Sequence, residues 1–245
     1  LIFGLMRIVN LAHGALYLFG GYLGLTISMM GGNFYVSAIG AAIGVALMGL
    51  IIDLGLLRFV KGNELRQVLL TLGVAFVLND LALVLWGGDT YSIPVPSYLD
   101  GPFEMGDVTY PKYRLFVLLV GILIFIALWL LMAKTKLGAL IRAGVDDSET
   151  VSAMGVDIRK IFIYTFMLGA ALAGLGGVMG GAFLTLYPTA DSEILVFSLA
   201  VVIIGGRGSL VGAAVGSILV AMLANFGQVW FPELAYFVIF GPMAV

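Results

Sequence analysis

Two neighbouring polar residues interrupt the apolar run from Val68 to Trp86, and they are the first candidates for chemistry. Asn79 and Asp80 lie in the half of this run that is nearer to Trp86. An ionisable group inside a membrane span costs at least about 2.5 kcal/mol, so it usually faces the protein interior or a water-filled cavity. Asn79 and Asp80 are therefore predicted to line a solute path. The alternative is a structural pairing with an amide or hydroxyl group on a neighbouring helix.

A second polar group lies near the start of the chain, in the sequence RIVNLAHG. His13 is the single histidine, and it could relay a proton or bind a solute beside Asn10. A lone histidine at the boundary of a span also serves as a helix cap or as a packing residue. Both interpretations remain open, and both residues are kept as candidates for the path.

The third candidate is the glycine-rich sequence GGRGSLVG, which begins with Gly205, Gly206, Arg207 and Gly208. It follows the apolar run Ile194 to Ile204, which is shorter than the about 20 residues that a crossing needs. A broken or re-entrant helix near Gly205 to Gly208 is therefore predicted, whose ends would offer fixed partial charges to a polar solute. An ordinary tight turn at the cytoplasmic face, with Arg207 as its positive anchor, is the alternative.

Catalytic and metal-binding patterns are missing from the sequence. The chain has no cysteine and one histidine, which excludes disulfides, thiolate metal sites and multi-histidine metal centres. It contains no GxSxG, HExxH or GxxxxGK[ST] motif. We therefore expect no catalytic residue, no metal and no cofactor, and the net charge of −2 gives no indication of nucleic-acid binding.

The charged segment from Lys134 to Lys160 is predicted to contain a short helix that docks onto another protein. Between Asp146 and Gly155, an acidic cap, a capping box completed by Glu149 and a glycine stop mark the ends of this helix. Val151 and Met154 are three residues apart and would share one exposed face. The alternative is a solvated connector between two spans. The candidate docking residues are Asp146, Asp147, Glu149, Val151, Ala153, Met154 and Gly155.

The composition places these candidates in a polytopic membrane protein. Mean hydropathy is +1.14, 11% of residues are charged, and glycine accounts for 34 of 245 residues, as in membrane helices that pack through small side chains. We predict one all-α transmembrane domain over residues 1–245, with about eight spans. Both ends of the sequence are expected to be truncated. The apolar runs are Leu1 to Leu5, Ala15 to Met30, Val36 to Leu57, Val68 to Trp86, Leu115 to Met132, Ile161 to Leu186, Ile194 to Ile204, Val211 to Val229, and one that begins at Leu234.

The basic residues predict the orientation of the chain. Ten of the twelve fall on one side when the spans are counted, which makes that side cytoplasmic by the positive-inside rule. The segment 134–160 is then cytoplasmic. The segment 87–114, rich in proline and glycine and carrying four carboxylates, then forms an irregular external cap. The cytoplasmic residues are Arg7, Arg58, Lys61, Arg66, Lys134, Lys136, Arg142, Arg159, Lys160 and Arg207.

Three motifs give the chain a resemblance to a known family. RIVNLAHG, the segment that starts at DDSETVSAMGVDIRK, and GGRGSLVGAAVGSIL resemble, in order and spacing, the permease subunits of ABC importers of the LivH and LivM type. These importers carry branched-chain amino acids and related solutes across the plasma (inner) membrane. The resemblance implies a second permease subunit, two cytosolic ATP-binding subunits that hydrolyse ATP, and an external solute-binding protein.

The same resemblance implies that Asp146 to Gly155 is the counterpart of the coupling helix. Glu149, Ala153 and Gly155 can be placed on the importer pattern, whereas Thr150 to Ser152 depart from it. Urea or short-amide permeases share the three motifs, so the solute stays open. An ion-coupled secondary transporter, a channel and a membrane scaffold are the competing classes of protein. Asp80 and the predicted glycine break argue against a scaffold, and the capped cytoplasmic helix argues against a free-standing transporter.

Overall fold

The computed structural model describes residues 10–60, 63–105, 108–206 and 208–230. Over these ranges the chain forms nine α-helices, a 3-10 turn at Leu57–Phe59 and one two-stranded hairpin. The fold is therefore mostly helical, as predicted. The helices are α1 (His13–Met29), α2 (Phe34–Gly55), α3 (Glu64–Trp86), α4 (Lys112–Lys134), α5 (Lys136–Asp146), α6 (Ser148–Ala153), α7 (Ile158–Gly181), α8 (Ala190–Gly205) and α9 (Leu210–Trp230).

Five of these helices are long and apolar enough to cross a bilayer, namely α2, continued by its 3-10 turn, and α3, α4, α7 and α9. The remaining apolar helices, α1 and α8, contain 17 and 16 residues. At 1.5 Å per residue each reaches only about 25 Å. The predicted number of about eight spans is not confirmed. The terminal runs, from Leu1 and from Leu234, lie outside the described residues.

The centre of the bundle is α1, which packs against α2 and α7 through glycines. A Cβ atom placed on Gly20 would lie 2.8 Å from the carbonyl oxygen of Gly174 and closer still to its Cα atom. One turn earlier in α7, a Cβ on Gly49 of α2 would lie 2.7 Å from the Cβ of Ala170. Lipid gives apolar helices no hydrophobic reason to associate, so close backbone packing of this kind provides the attraction between them. The three helices therefore form one tightly fitted core.

Aromatic side chains close one end of this core. The Trp86 ring stacks on Tyr22 at 5.1 Å between centroids, and its Nε1 donates to the Thr26 hydroxyl at 2.8 Å. Tyr91 exchanges two backbone hydrogen bonds with Leu186, of 2.8 and 2.7 Å. The segments that follow α3 and α7 therefore lie at the same end of the bundle, as the counting of spans requires.

The segment between α3 and α4, predicted as an irregular cap, adds a short β-hairpin to the mostly helical fold. Strands β1 (Pro102–Met105) and β2 (Val108–Pro111) pair antiparallel, with Pro102 opposite Pro111 and Phe103 opposite Tyr110. Aromatic and β-branched residues favour strands, and proline is tolerated at a strand's first position and at its edge. A short hairpin therefore projects from the end of the bundle that the aromatic side chains close.

The glycines after α8 form a tight turn, and the predicted broken helix at this place is not confirmed. Gly206 and Gly208 have φ angles of +82° and +83°, which glycine adopts without strain, and α9 begins at Leu210. A Cβ atom on Gly212 would overlap the carbonyl oxygen of Gly205. Helices α8 and α9 are thus joined as a close-packed hairpin.

Candidate functional site

A carboxylate and an amide meet inside the bundle between α3 and α8. The Asn79 Nδ2 atom donates to Asp191 Oδ2 at 2.8 Å, and only 7% of Asp191 is exposed. Asp80 lies on the exposed side of α3. Successive residues of a helix point about 100° apart, so Asn79 can face the bundle while Asp80, the next residue, faces outward. The structure thus brings together Asn79 and Asp191.

This pair lies at membrane depth, well below the aromatic cap. Asn79 precedes Trp86 by seven residues, which is about 10 Å along the helix axis. Helix α1 agrees with this depth. Near its start, a Cβ on Gly14 would lie 2.9 Å from the carbonyl carbon of Asp191, whereas near its end Thr26 accepts a hydrogen bond from Trp86 in the aromatic cap. The pair is therefore enclosed by α1, α3 and α8 within the span of the core helices.

Helix α8 reaches this depth because the chain between α7 and α8 runs without helical structure from the capped end into the bundle. Leu186 in this segment is fully buried, and a Cβ on Gly21 of α1 would lie against its side chain. Thr185 and Thr189 have φ angles of 66° and 81°, a conformation that costs a non-glycine residue of order 1–3 kcal/mol. Non-helical backbone at membrane depth is tolerated only where protein buries it or water reaches it. The descending segment, residues 182–189, is thus non-helical backbone inside the bundle, at a place where no break was predicted.

The predicted residues near the start of the chain surround the beginning of α1. Asn10 is buried, and its Oδ1 accepts from the backbone amide of Ala12 at 3.1 Å. The amide of Leu11 donates to the Thr71 hydroxyl on α3, also at 3.1 Å. His13 is the first residue of α1 and is half-buried. Asn10 thus orders the chain that enters α1, and His13 immediately precedes Gly14, which contacts Asp191.

The predicted path residues Gly205, Gly206 and Gly208 lie at the other end of α8 from the pair. A helix of 16 residues separates them by about 24 Å. There, Gly206 and Gly208 line a pocket of about 260 Å³ together with Trp129 and Arg142. Arg207 lies outside the described residues. The structure therefore divides the predicted path residues into a group at membrane depth and a group at a turn.

The predicted docking helix exists as α6, but its cap is one residue later than predicted. Asp147 has extended backbone angles, and its Oδ1 accepts from the Thr150 amide at 3.0 Å, whereas Asp146 is still helical as the last residue of α5. The side chains of Asp146 and Glu149, and with them the predicted capping box, lie outside the described part. Gly155 has a φ of +84°, and the Val156 amide donates to the Val151 carbonyl at 3.4 Å. The predicted left-handed glycine stop is confirmed.

Val151 and Met154 do not share an exposed face, which corrects the sequence analysis. Val151 is 7% exposed and packs in a small cluster with Ile141, Ile158 and Ile161 that holds α5 and α6 against α7. Met154 is 78% exposed, and Ala153 and Gly155 are exposed beside it. The reason is that α6 ends at Ala153, so Met154 lies in the turn. This exposed patch consists of Ala153, Met154 and Gly155.

An ion pair follows this patch at the start of α7. Asp157 caps the helix by accepting from the Lys160 amide at 3.3 Å, and its carboxylate lies 3.1 Å from the Lys160 ammonium group. The hydrogen bond from the Lys160 side chain holds the pKa of Asp157 below its usual value. Both side chains are largely exposed, so solvent screens the pair and it contributes little to stability.

Sequence analysis missed two buried carboxylates. Asp53 in α2 is 1% exposed, and the argument that singled out Asp80 applies to it equally, because it too is an ionisable residue in an apolar run. Asp191 lies between the apolar runs that end at Leu186 and start at Ile194, so it was not counted as a group inside a span. Across the described ranges, His, Asp and Glu form no group of three that could hold a metal ion.

The helices, the glycine contacts between them and the polar pair at depth define the class of protein: a multi-pass membrane protein with polar groups inside its helical bundle. The model of one family, branched-chain amino acid transport system / permease component, matches residues 1–245. The chain belongs to this family and is a multi-pass transport protein of the inner membrane. No solved structure matches it.

Named relatives agree with the family. The chain is 26% identical over 245 residues to the high-affinity branched-chain amino acid transport system permease protein BraD of Pseudomonas aeruginosa, covering 93% of this chain and 78% of the relative. It is 25% identical over 240 residues to the LivH permease of Escherichia coli, covering 91% and 77%. The xylose/arabinose import permease protein XylH of Sulfolobus acidocaldarius is 30% identical over 170 residues, covering 66% and 46%.

Proposed function

We propose that this permease forms the translocation path of an ABC importer for branched-chain amino acids or a related small polar solute. The observation that carries the proposal is the pair of Asn79 and Asp191, a polar site at membrane depth inside a bundle of the branched-chain amino acid permease family. BraD and LivH are named for branched-chain amino acids, which makes this solute class the first choice. In this proposal a second permease subunit completes the path, and an external solute-binding protein delivers the solute to the capped end.

The cytoplasmic patch at the end of α6 is proposed to couple the path to a cytosolic ATP-binding subunit. Two such subunits hydrolyse ATP in an importer of this kind. Val151 fixes α6 on the cluster under α7, so a force applied at Met154 reaches a helix of the core. Burying an exposed methionine in a partner contributes about 1.5–3 kcal/mol, which is significant in a small interface. The candidate coupling residues are Asp146, Asp147, Glu149, Val151, Ala153, Met154 and Gly155.

Uptake of labelled leucine by the assembled importer in proteoliposomes tests both parts of the proposal. Met154→Glu places a charge against apolar surface of the partner and should abolish ATP-driven uptake or release the ATP-binding subunits. Met154→Leu keeps an apolar side chain of similar volume and serves as the matched control, with uptake near that of the wild type. Full uptake and full association in Met154→Glu would mean that α6 is only a connector.

A sugar importer is the second candidate, because relatives named as xylose/arabinose and ribose permeases also match. Urea and short amides are also candidate solutes within the same fold. Uptake of leucine, ribose, xylose and urea by the same importer separates these solute classes. Uptake that continues without ATP-binding subunits would instead indicate an ion-coupled transporter or a channel.

A further inference from the structure

The Asp191 carboxylate is enclosed in the bundle with no cation beside it in the described part of the chain. It is 93% buried, and its one side-chain hydrogen bond there comes from the Asn79 amide. A carboxylate has about four lone-pair positions, so one amide leaves most of its accepting capacity unused. A buried charge that is paired this weakly is expensive unless something else compensates it.

The start of α8 provides part of this compensation. Asp191 is the second residue of the helix, at the end where the helix dipole places a partial positive charge. The amides of Ala190 and Ser192 donate to the carbonyls of Tyr187 and Thr189, and the Thr189 side chain makes no capping hydrogen bond. A partial charge of this kind does not replace the full counter-charge that a cation gives a carboxylate. The described residues therefore supply Asp191 with an amide donor and a helix end, but with no full positive charge.

We infer that Asn79 and Asp191 form a binding site for the primary ammonium group of the transported solute. Asn79 turns its amide nitrogen toward Asp191 and has a carbonyl oxygen that accepts no hydrogen bond from any described residue. This oxygen and the carboxylate together offer acceptors to an ammonium group, which has three donors. A solute anion would be repelled, and a sugar would gain hydrogen bonds without charge neutralisation. The inference rests on the proposed function and selects amino acids among its solutes.

The irregular segment above the site is consistent with a ligand that passes there. Non-helical backbone lies directly before α8, with Tyr187 donating from its hydroxyl to the exposed carboxylate of Glu193 at 3.0 Å. Glu193 is in the same first turn as Asp191 and faces out of the bundle. The two carboxylates thus share a helix end and differ in burial, which makes Glu193 a matched control.

The first experiment measures the chemistry of the site without a binding protein. The wild-type complex in nanodiscs is heated with millimolar 3-methylbutylamine, which keeps the ammonium group and side chain of leucine, or with 4-methylpentanoate, which keeps the carboxylate. The amine should raise the melting temperature and the acid should not. The increase should be absent in Asp191→Asn and present in Glu193→Gln. Equal stabilisation by both compounds, or none by the amine, would refute the ammonium site.

The second experiment measures leucine uptake at saturating binding protein. Asp191→Asn should lower the maximal rate by about tenfold or more, because a charge-assisted hydrogen bond becomes a neutral one, whereas Glu193→Gln should not. The ATP-binding subunits should still co-purify with both variants. Wild-type uptake in Asp191→Asn, with uptake abolished in Met154→Glu, would refute the ammonium site and leave the permease function standing. Absence of ATP-driven uptake in the wild type would instead refute the proposed function.

Discussion

Replacing Gly20 with alanine should destabilise the bundle, because the backbones of α1 and α7 are in contact at this point. The new Cβ would lie 2.8 Å from the carbonyl oxygen of Gly174 and 3.0 Å from its carbonyl carbon. Ordinary separations are about 3.3 Å for carbon to oxygen and about 3.5–4.0 Å for carbon to carbon. The Cα atom of Gly174 lies closer still to the new Cβ, so the two helices would have to separate by more than about 1 Å. No side chain can rotate away to prevent this, since the contact is with backbone.

The expected magnitude follows from two opposing effects. Overpacking of a fitted core costs about 1–3 kcal/mol, whereas alanine is about 1 kcal/mol better than glycine inside a helix. The cost of overpacking should exceed the gain in helix propensity, because α1 packs against both α2 and α7. A net loss of up to about 2 kcal/mol is the expected result for Gly20→Ala.

The assay is thermal unfolding of the purified protein in detergent, with Gly121→Ala as the matched control. Gly121 is exposed in the middle of α4, and a Cβ added there would meet no atom within 4 Å. Its alanine variant should be as stable as the wild type or more stable. Gly20→Ala should melt at a lower temperature than both. If Gly20→Ala melts at or above the control, glycine packing does not hold the core together.

Three further predictions concern topology and turns. Cysteines introduced at the exposed Ser97 and Ser152 should react with an impermeant thiol reagent from opposite sides, Ser97 from outside intact cells and Ser152 only after lysis. Labelling of both in intact cells would contradict the orientation. Gly212→Ala should loosen the α8–α9 hairpin and lower the melting temperature, whereas Gly73→Ala, with open space around it, should not. Asp147→Ala should cost α6 about 1 kcal/mol and raise proteolysis near it, and unchanged cleavage would exclude the cap.

The membrane helices were predictable because an apolar run of about 20 residues has few other structural interpretations. Runs of this length at Val36, Val68, Leu115, Ile161 and Val211 all appear as candidate spans. The hairpin after α3 was not predicted, because the four residues of each strand give too short an alternation to recognise beside prolines and glycines. The glycine stop at Gly155 was also predicted correctly. The left-handed conformation of a residue at a helix end depends on the local sequence and not on distant packing.

The candidate site was predictable only in part. Asn79 stands out because it is polar within an apolar run, but its partner lies 112 positions later in the chain. No local pattern marks Asp191, since its burial depends on how deeply the non-helical segment 182–189 enters the bundle. The direction of Val151 also depends on tertiary packing, because α6 could present either face until α5 and α7 are in place. Sequence identified the polar positions, and packing decided which of them face each other.

The contact between α1 and α7 has a consequence for biosynthesis. Gly20 and Gly174 are separated by about 150 residues, which a ribosome adds in about 8–30 s at 5–20 residues per second. For most of this interval α1 and α2 are already made and can pack against each other, but Gly20 and Gly49 lack their partners on α7. Until α7 is made, these glycines offer little surface for contact with other molecules, because they have no side chain. The described core is thus completed by α7, and a chain that stops before Ile158 lacks the helix against which both α1 and α2 pack.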